Sequence, residues 1–230
     1  MDFFLIRHGL SEANMEGIIQ GQTDSLLSDI GRRQADLLAR FMKREGIHPD
    51  EIYASPLKRA GETAEIINGV VGTDTPIEFR DEFMEIDVGE VCGLTIDEVL
   101  RRYPGKMADV NRWLDFSNFN GESFEQFYSR VEGCVKELIK KWDDPFEKRT
   151  VFFVTHGGVT RPILKTLLNH QSDFLFVEVG NCSQIAVRWR EVRGNIRRVI
   201  RNIIPINRIA EMMGEEAPVL TDLTSKKLGN

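Results

Sequence analysis

Two hydrophobic rhythms run through the chain. Continuous apolar runs, Phe3-Phe4-Leu5-Ile6 near the start and Val151-Phe152-Phe153-Val154 much later, have the length of strands covered on both faces. Between and after them, apolar positions recur at helical spacing. Ser28 reads as an N-cap, Ala35, Leu38, Phe41 and Met42 mark one face as far as Arg44, and Gly46 ends the helix. Ile52-Tyr53-Ala54 is a short strand, after which Ser55 and Pro56 read as a cap and a first-turn proline of a helix carrying Arg59, Thr63 and Ile66. Pro76 to Phe79 is another strand, ending in the loop that holds Glu85 and Gly89. Thr95 with Glu98, and Ser123 with Gln126, have capping-box spacing and start two further helices. The second is long, with Phe124, Phe127, Val131, Leu138 and Trp142 along one side. A helix from about Gly158 to Leu168 comes after the Val151 strand. Two β-runs, Ile185-Ala186-Val187 and Ile196 to Ile200, then meet at a Gly194-Asn195 turn.

Strands alternating with helices predict an α/β fold: a three-layer α/β/α sandwich with a mostly parallel central sheet. A polar stretch of about residues 90–122 interrupts the alternation and reads as a small inserted lid, with Trp113, Phe116 and Phe119 as its aromatic group. A lid packed on its own core is the simpler reading of those rings, and both readings are compatible. Residues 1–204 form the expected domain, and 205–230, with weak periodicity and many charges, read as a C-terminal surface tail.

A length of 230 residues suits one well-buried domain, and 41% hydrophobic with 29% charged residues is the balance of a soluble protein. No uninterrupted apolar window of about 18 residues is present to span a bilayer. Met1 and Asp2 lead straight into the first strand without a basic region or cleavage site, so the expected location is cytoplasmic. Three cysteines, Cys92, Cys134 and Cys182, lack metal-ligand or disulfide-framework spacing and read as small core or near-surface residues. The net charge of -6 disfavours nonspecific binding to nucleic acid or an anionic membrane. The arginines at 188, 190, 193, 197, 198 and 201 in the last hairpin accordingly read as solvated or intersubunit residues, and that hairpin with the tail is the candidate surface for a homodimer.

Chemistry concentrates where strands end. The first apolar run delivers Arg7-His8-Gly9 and the later one Thr155-His156-Gly157-Gly158, and ligands of such sheets bind at the carboxyl ends of strands. Both histidines should face one crevice, whereas His48 and His170 read as structural residues. Together with Asn14, with Arg59 inside Ser55-Pro56-Leu57-Lys58-Arg59-Ala60-Gly61-Glu62-Thr63, and with Glu85, this set resembles the histidine phosphatase superfamily, the phosphoglycerate mutase-like family, over about residues 3 to 190. The resemblance implies a phosphoglycerate mutase-like fold and a small phosphorylated metabolite as substrate. It also implies that His8 becomes a phosphohistidine. His156 then serves as an electropositive stabiliser of the equatorial oxygens, and Glu85 is the general acid, with Glu82 and Asp87 as its nearest rivals.

Physical chemistry runs in the same direction. Phosphoryl transfer is mostly positioning and charge stabilisation, and the guanidinium forks of Arg7 and Arg59 grip phosphate oxygens at any physiological pH. Arg59 also lies near the positive end of its helix. Asn14 can donate its amide, Gly157 keeps bulk away from the anion, and Gly21 occupies the loop where the family often adds a backbone donor. No carboxylate cluster accompanies the histidines, so no metal and no cofactor is expected.

The expected activity is therefore metal-independent hydrolysis of a small phosphate monoester, a phosphoric monoester hydrolase. A phosphoglycerate mutase is the alternative, using the same pocket but returning the phosphoryl group to a second oxygen. Mutases of the family that the chain resembles usually carry a longer, more basic insertion after the acid loop. Here the stretch from Leu94 to Ser123 is of moderate length and offsets Arg101, Arg102, Lys106 and Arg112 with Asp97, Glu98, Asp109 and Asp115, so the resemblance favours hydrolysis. A non-catalytic phosphate-binding protein is the remaining alternative, and it would be expected to have lost one of the charged positions present here.

Overall fold

The computed structural model describes residues 1–106, 115–142, 147–171, 177 and 179–218. In chain order the strands are β1 (Asp2–Arg7), β2 (Glu51–Ala54), β3 (Ile77–Phe79), β4 (Thr150–Thr155), β5 (Gln184–Val192) and β6 (Asn195–Ile204). They form one sheet in the order β3-β2-β4-β1-β5-β6. The pairs β3-β2, β2-β4 and β4-β1 are parallel, while β5 runs antiparallel to both β1 and β6.

Alternation along the central strands splits the core in two. Phe3, Leu5, Val151 and Phe153 face one layer, and Phe4, Ile6, Phe152 and Val154 the other, because successive strand side chains point to opposite faces. The second layer is closed by α2 (Asp29–Arg44), α3 (Lys58–Val71) and a C-terminal helix, and the first by α5 (Phe124–Lys141) and α6 (Thr160–Leu168). Two shorter helices, α1 (Glu12–Met15) and α4 (Ile96–Arg102), lie in the loops above the strand ends. This is the mixed α/β sandwich with a mostly parallel sheet read from the sequence. Both capping boxes form, with Thr95 and Ser123 each accepting from the backbone three residues on.

Three local expectations are corrected. Helix α3 begins at Lys58 behind an extended Leu57, with no side-chain cap, because the Ser55 hydroxyl is occupied by the Leu57 N–H at 3.3 Å and by His156. Asp24, from a distant loop, instead accepts from the Lys58 N–H at 2.7 Å. The β5-β6 turn lies one residue earlier than expected, at Arg193-Gly194, both with positive φ and flanked by the Val192–Asn195 pair. The segment after Pro205 is not surface tail throughout. Ile206–Met213 forms α7, whose Ile206, Ile209 and Ala210 sit at i, i+3 and i+4 and are buried in the α2 layer. Arg40 pairs with Glu215, and Gln34 donates to the Pro218 carbonyl at 2.9 Å.

Of the expected lid, residues 107–114, including Trp113, lie outside the described residues. The other two rings are core: Phe119 is fully buried edge-on to Tyr103, and Phe116 is buried beside it. Phe116 also forms part of the wall of the cleft above the strand ends.

Candidate active site

The parallel register of β1 and β4 pairs Arg7 with Thr155, so the next residue of each strand, His8 and His156, emerges at the same level. Their rings lie edge to face with centroids 5.0 Å apart. The other parallel strands deliver to the same place: β2 leads into Ser55 and Arg59, and β3 into the loop that ends at Glu85. Above these strand ends is a cleft of about 250 Å³ whose wall includes Arg7, His8, Asn14, Gly21, Arg59, Glu85 and Gly158.

His8 is 4% exposed and held on every side. Its N–H donates to the Thr155 carbonyl at 2.9 Å, and its own carbonyl accepts from Asn181 Nδ2 at 3.1 Å and from the Cys182 N–H at 3.3 Å. Its Nδ1 lies 2.7 Å from the Gly9 carbonyl oxygen. A carbonyl can only accept, so Nδ1 carries the hydrogen and Nε2 keeps the lone pair. Burial, with Arg7 and Arg59 nearby, holds the imidazole well below the usual histidine range, against the opposing pull of the Gly9 carbonyl. The ring is therefore neutral at physiological pH.

His156 is fully buried, with Nε2 2.8 Å from Ser55 Oγ and Nδ1 without a partner among the described residues. Ser55 Oγ also accepts from the Leu57 N–H at 3.3 Å, and with a second lone pair and its own hydrogen left it can bond Nε2 in either tautomer of the ring. Burial, reinforced by His8 and the two arginines, holds this ring also well below its ordinary range, so it is a neutral imidazole and not the electropositive group the resemblance implies.

The arginines are anchored by main-chain oxygens. Arg7 donates to the Val179 carbonyl at 2.7 Å, and Arg59, 1% exposed, donates to the Thr23 and Gly21 carbonyls at 2.7 and 2.8 Å. Thr63 ties the two sides together, accepting from the Gly9 N–H at 3.1 Å and donating to the Arg59 carbonyl at 2.6 Å. Gly21, expected as a phosphate donor, also supplies its carbonyl to position Arg59. Asn14 accepts from the Ser11 hydroxyl at 2.9 Å, so its amide NH2 is the end available to a ligand.

Glu85 projects over the histidines from the opposite wall. Its carboxylate accepts from the Ile86 N–H at 3.0 Å and the Gly158 N–H at 3.2 Å. A Cβ at residue 158 would lie 2.5 Å from Glu85 Oε1, so only glycine allows this approach. At residue 157, by contrast, a Cβ would meet Arg7 at 3.5 Å, an ordinary van der Waals contact, so the expectation that Gly157 is needed to keep bulk away from the anion is not carried by this packing. Of the two rival acids, Asp87 accepts from the Gly89 N–H in a turn, and neither it nor Glu82 lines the cleft. His48 and His170 are exposed and distant from it.

Sequence reasoning missed several supports: Ser55 behind His156, Thr63 between the two loops, Gln22, which donates to the Glu85 carbonyl at 3.1 Å, and Arg130 of α5. Arg130 looks like an ordinary exposed residue of an amphipathic helix. In the fold it lies against the acid loop, donating to the carbonyls of Glu82, Met84 and Glu85 and pairing through two nitrogens with Glu122.

A mostly parallel sheet with two histidines and two arginines gathered at its strand ends defines an α/β phosphate-handling class. The chain belongs to the histidine phosphatase superfamily, branch 1, whose family model matches residues 3–202. Phosphoserine phosphatase 1 of Hydrogenobacter thermophilus is 35% identical over 201 residues, covering 85% of this chain and 90% of that protein. A broad-specificity phosphatase of Saccharomyces cerevisiae is 33% identical over 177 residues, covering 76% and 74%. Among solved structures, a mycobacterial glucosyl-3-phosphoglycerate phosphatase superposes with a TM-score of 0.74 over 89% of this chain and 99% of that one, at 24% identity, a likeness of fold. A phosphoric monoester hydrolase, as expected from the sequence, agrees with these relatives. Among the described residues no helix is long and apolar enough to cross a membrane.

Proposed function

We propose that the protein hydrolyses a small phosphate monoester through a phosphohistidine at His8, with no metal in the reaction. The observation that carries this reading is the Nδ1 bond of His8 to the Gly9 carbonyl, which leaves the Nε2 lone pair of an imidazole kept neutral by burial in a cleft lined by Arg7 and Arg59. A phosphoryl group there takes its oxygen contacts from the two guanidinium groups, the Asn14 amide and His156 Nδ1. His156 acts in this scheme as a neutral donor from Nδ1, with the Ser55 hydroxyl donating to Nε2.

In the first step the His8 Nε2–P bond forms as the P–O bond to the leaving group breaks, and Glu85 gives its proton to the departing oxygen. Water then attacks the phosphohistidine, with Glu85 taking back a proton, and His8 is regenerated as inorganic phosphate leaves. The relatives that act on phosphoserine and on broad sets of esters put phosphoserine first among substrates to try.

The test is a panel of phosphate esters, including phosphoserine and both phosphoglycerates, assayed with chelator present and then quenched. His8→Ala is expected to lose at least about 10³-fold in turnover, and the wild type to carry an acid-labile, base-stable phosphate on His8. Full activity in His8→Ala, or loss of turnover on chelation, would contradict the mechanism. Interconversion of the phosphoglycerates faster than phosphate release would make the protein a mutase.

A further inference from the structure

The acid loop approaches the histidines without regular secondary structure of its own at Glu85, so something else must fix where the carboxylate sits. One side chain does most of that. Arg130, one-fifth exposed, sends NH1 to the Glu82 and Met84 carbonyls at 2.8 and 3.0 Å, and NH2 to the Glu85 carbonyl at 3.3 Å. Its Nε and NH2 pair with both oxygens of Glu122 at 2.8 and 2.7 Å. Glu122 in turn accepts from the Asp87 N–H at 2.9 Å, and its own N–H donates to the Asp87 carbonyl at 2.9 Å. The guanidinium packs over the Phe127 ring at 5.3 Å, which fixes its plane. The loop from residue 82 to residue 87 is thus clamped on both sides of Glu85 by one largely buried, planar ion pair.

We propose that Arg130, together with Glu122, is the positioning residue for proton transfer by Glu85. It touches no substrate and does not line the cleft. The inference rests on the reading of Glu85 as the general acid, and it assigns the clamp a kinetic role distinct from phosphate binding. In the first half-reaction, which kcat/KM reads, a misplaced acid harms those esters whose leaving oxygen needs a proton, whereas the later water step is common to all esters. An alkyl alkoxide departs badly without a proton, whereas p-nitrophenolate departs readily.

The experiment compares an alkyl phosphate with p-nitrophenyl phosphate in Arg130→Met, Glu85→Gln and the double variant, with thermal unfolding of each measured alongside. Arg130→Met is expected to lower kcat/KM on the alkyl ester by about 10- to 100-fold while changing that of p-nitrophenyl phosphate by about 2-fold, and to lower the shared rate of phosphohistidine hydrolysis equally for both. The double variant should be no slower on the alkyl ester than Glu85→Gln alone, since an absent acid cannot be misplaced. Arg130→Lys keeps the charge but not the fork, and should recover only part of the loss. Should Arg130→Met fold poorly, Glu122→Gln, which leaves the carbonyl contacts in place, carries the same test with a smaller expected selectivity. Equal losses of kcat/KM on the two esters, or no loss on either, overturn the inference. Glu85→Gln selective and Arg130→Met unselective overturns it while sparing the role of Glu85. An unselective Glu85→Gln removes both.

Discussion

Arginine gathers in two regions of this molecule, and they could hardly differ more. At the carboxyl ends of the parallel strands, Arg7 and Arg59 donate to backbone carbonyls, and Arg59 is almost wholly buried. On the antiparallel ribbon of β5 and β6, six arginines crowd a single hairpin, yet Arg190, Arg193, Arg197 and Arg201 point into solvent. The two that do more are structural: Arg188 pairs with Asp2, and Arg198 lies over the Trp189 ring at 5.0 Å. A charge acquires a function here by being desolvated and aimed. Density of charge along the sequence counts for little, because an exposed guanidinium is screened by water and free to rotate. The ribbon arginines have a simpler use, since β6 is an edge strand with one side open and charge there discourages pairing with another chain.

Replacing Arg59 breaks the comparison most sharply. Arg59→Met removes the proposed phosphate donor and the two bonds that hold the carbonyls of Gly21 and Thr23, so kcat/KM on any ester should fall about 10²- to 10³-fold. Arg59→Lys should recover little, since one ammonium cannot serve two carbonyls and a phosphate in a plane. Steady-state kinetics on two esters with different leaving groups checks this, and near-wild-type activity in Arg59→Lys would show that charge alone suffices.

The same desolvation that aims Arg59 acts on His8, with the opposite consequence for charge. Burial and two neighbouring cations disfavour imidazolium, so the folded-state midpoint lies below the ordinary value of about 6.5. Above about 6.5 the ring is neutral in folded and unfolded chains alike, and stability is at its full value. As pH falls from there toward the depressed midpoint, the unfolded chain takes up a proton that the folded one refuses, and stability declines. NMR titration of labelled imidazole should place the His8 midpoint well below about 6.5. A His8 midpoint at or above about 6.5 would mean that the pocket does not desolvate its nucleophile.

Much of this was legible because it is local. The runs ending in His8 and His156 announce both the buried strands and the chemistry at their carboxyl ends, and Thr95 with Glu98 encodes a cap within four residues. The features that escaped depend on contacts across long stretches of chain. Arg130 is 45 residues from Glu85 and Ser55 is 101 from His156, so nothing near either residue reveals its partner. Helix α7 escaped for another reason. Its apolar face is regular, with Ile206, Ile209, Ala210 and Met213 at helical spacing, but it lasts only eight residues, a length that is marginal for a helix until the α2 layer buries it. Ser55 is the instructive error: a hydroxyl before a proline looks like a cap, and the fold has given that hydroxyl to a histidine.

The smallest expected effect lies on the ribbon, and it tests the other half of the comparison. Substituting Arg190 and Arg197, which face each other across β5 and β6, by serine removes two exposed like charges from opposed positions. Like charges directly opposite repel, so the loss of attraction to solvent is offset, and stability should move by no more than about 0.5 kcal/mol in either direction. Activity on small esters should stay within about 2-fold of wild type, because neither residue lines the catalytic cleft. Urea unfolding and kcat/KM measured side by side would decide it. A loss approaching that of Arg59→Met would mean that the ribbon reaches the chemistry by a route other than contact. A change confined to the sedimentation behaviour would instead assign these arginines to the association of one copy of the chain with another.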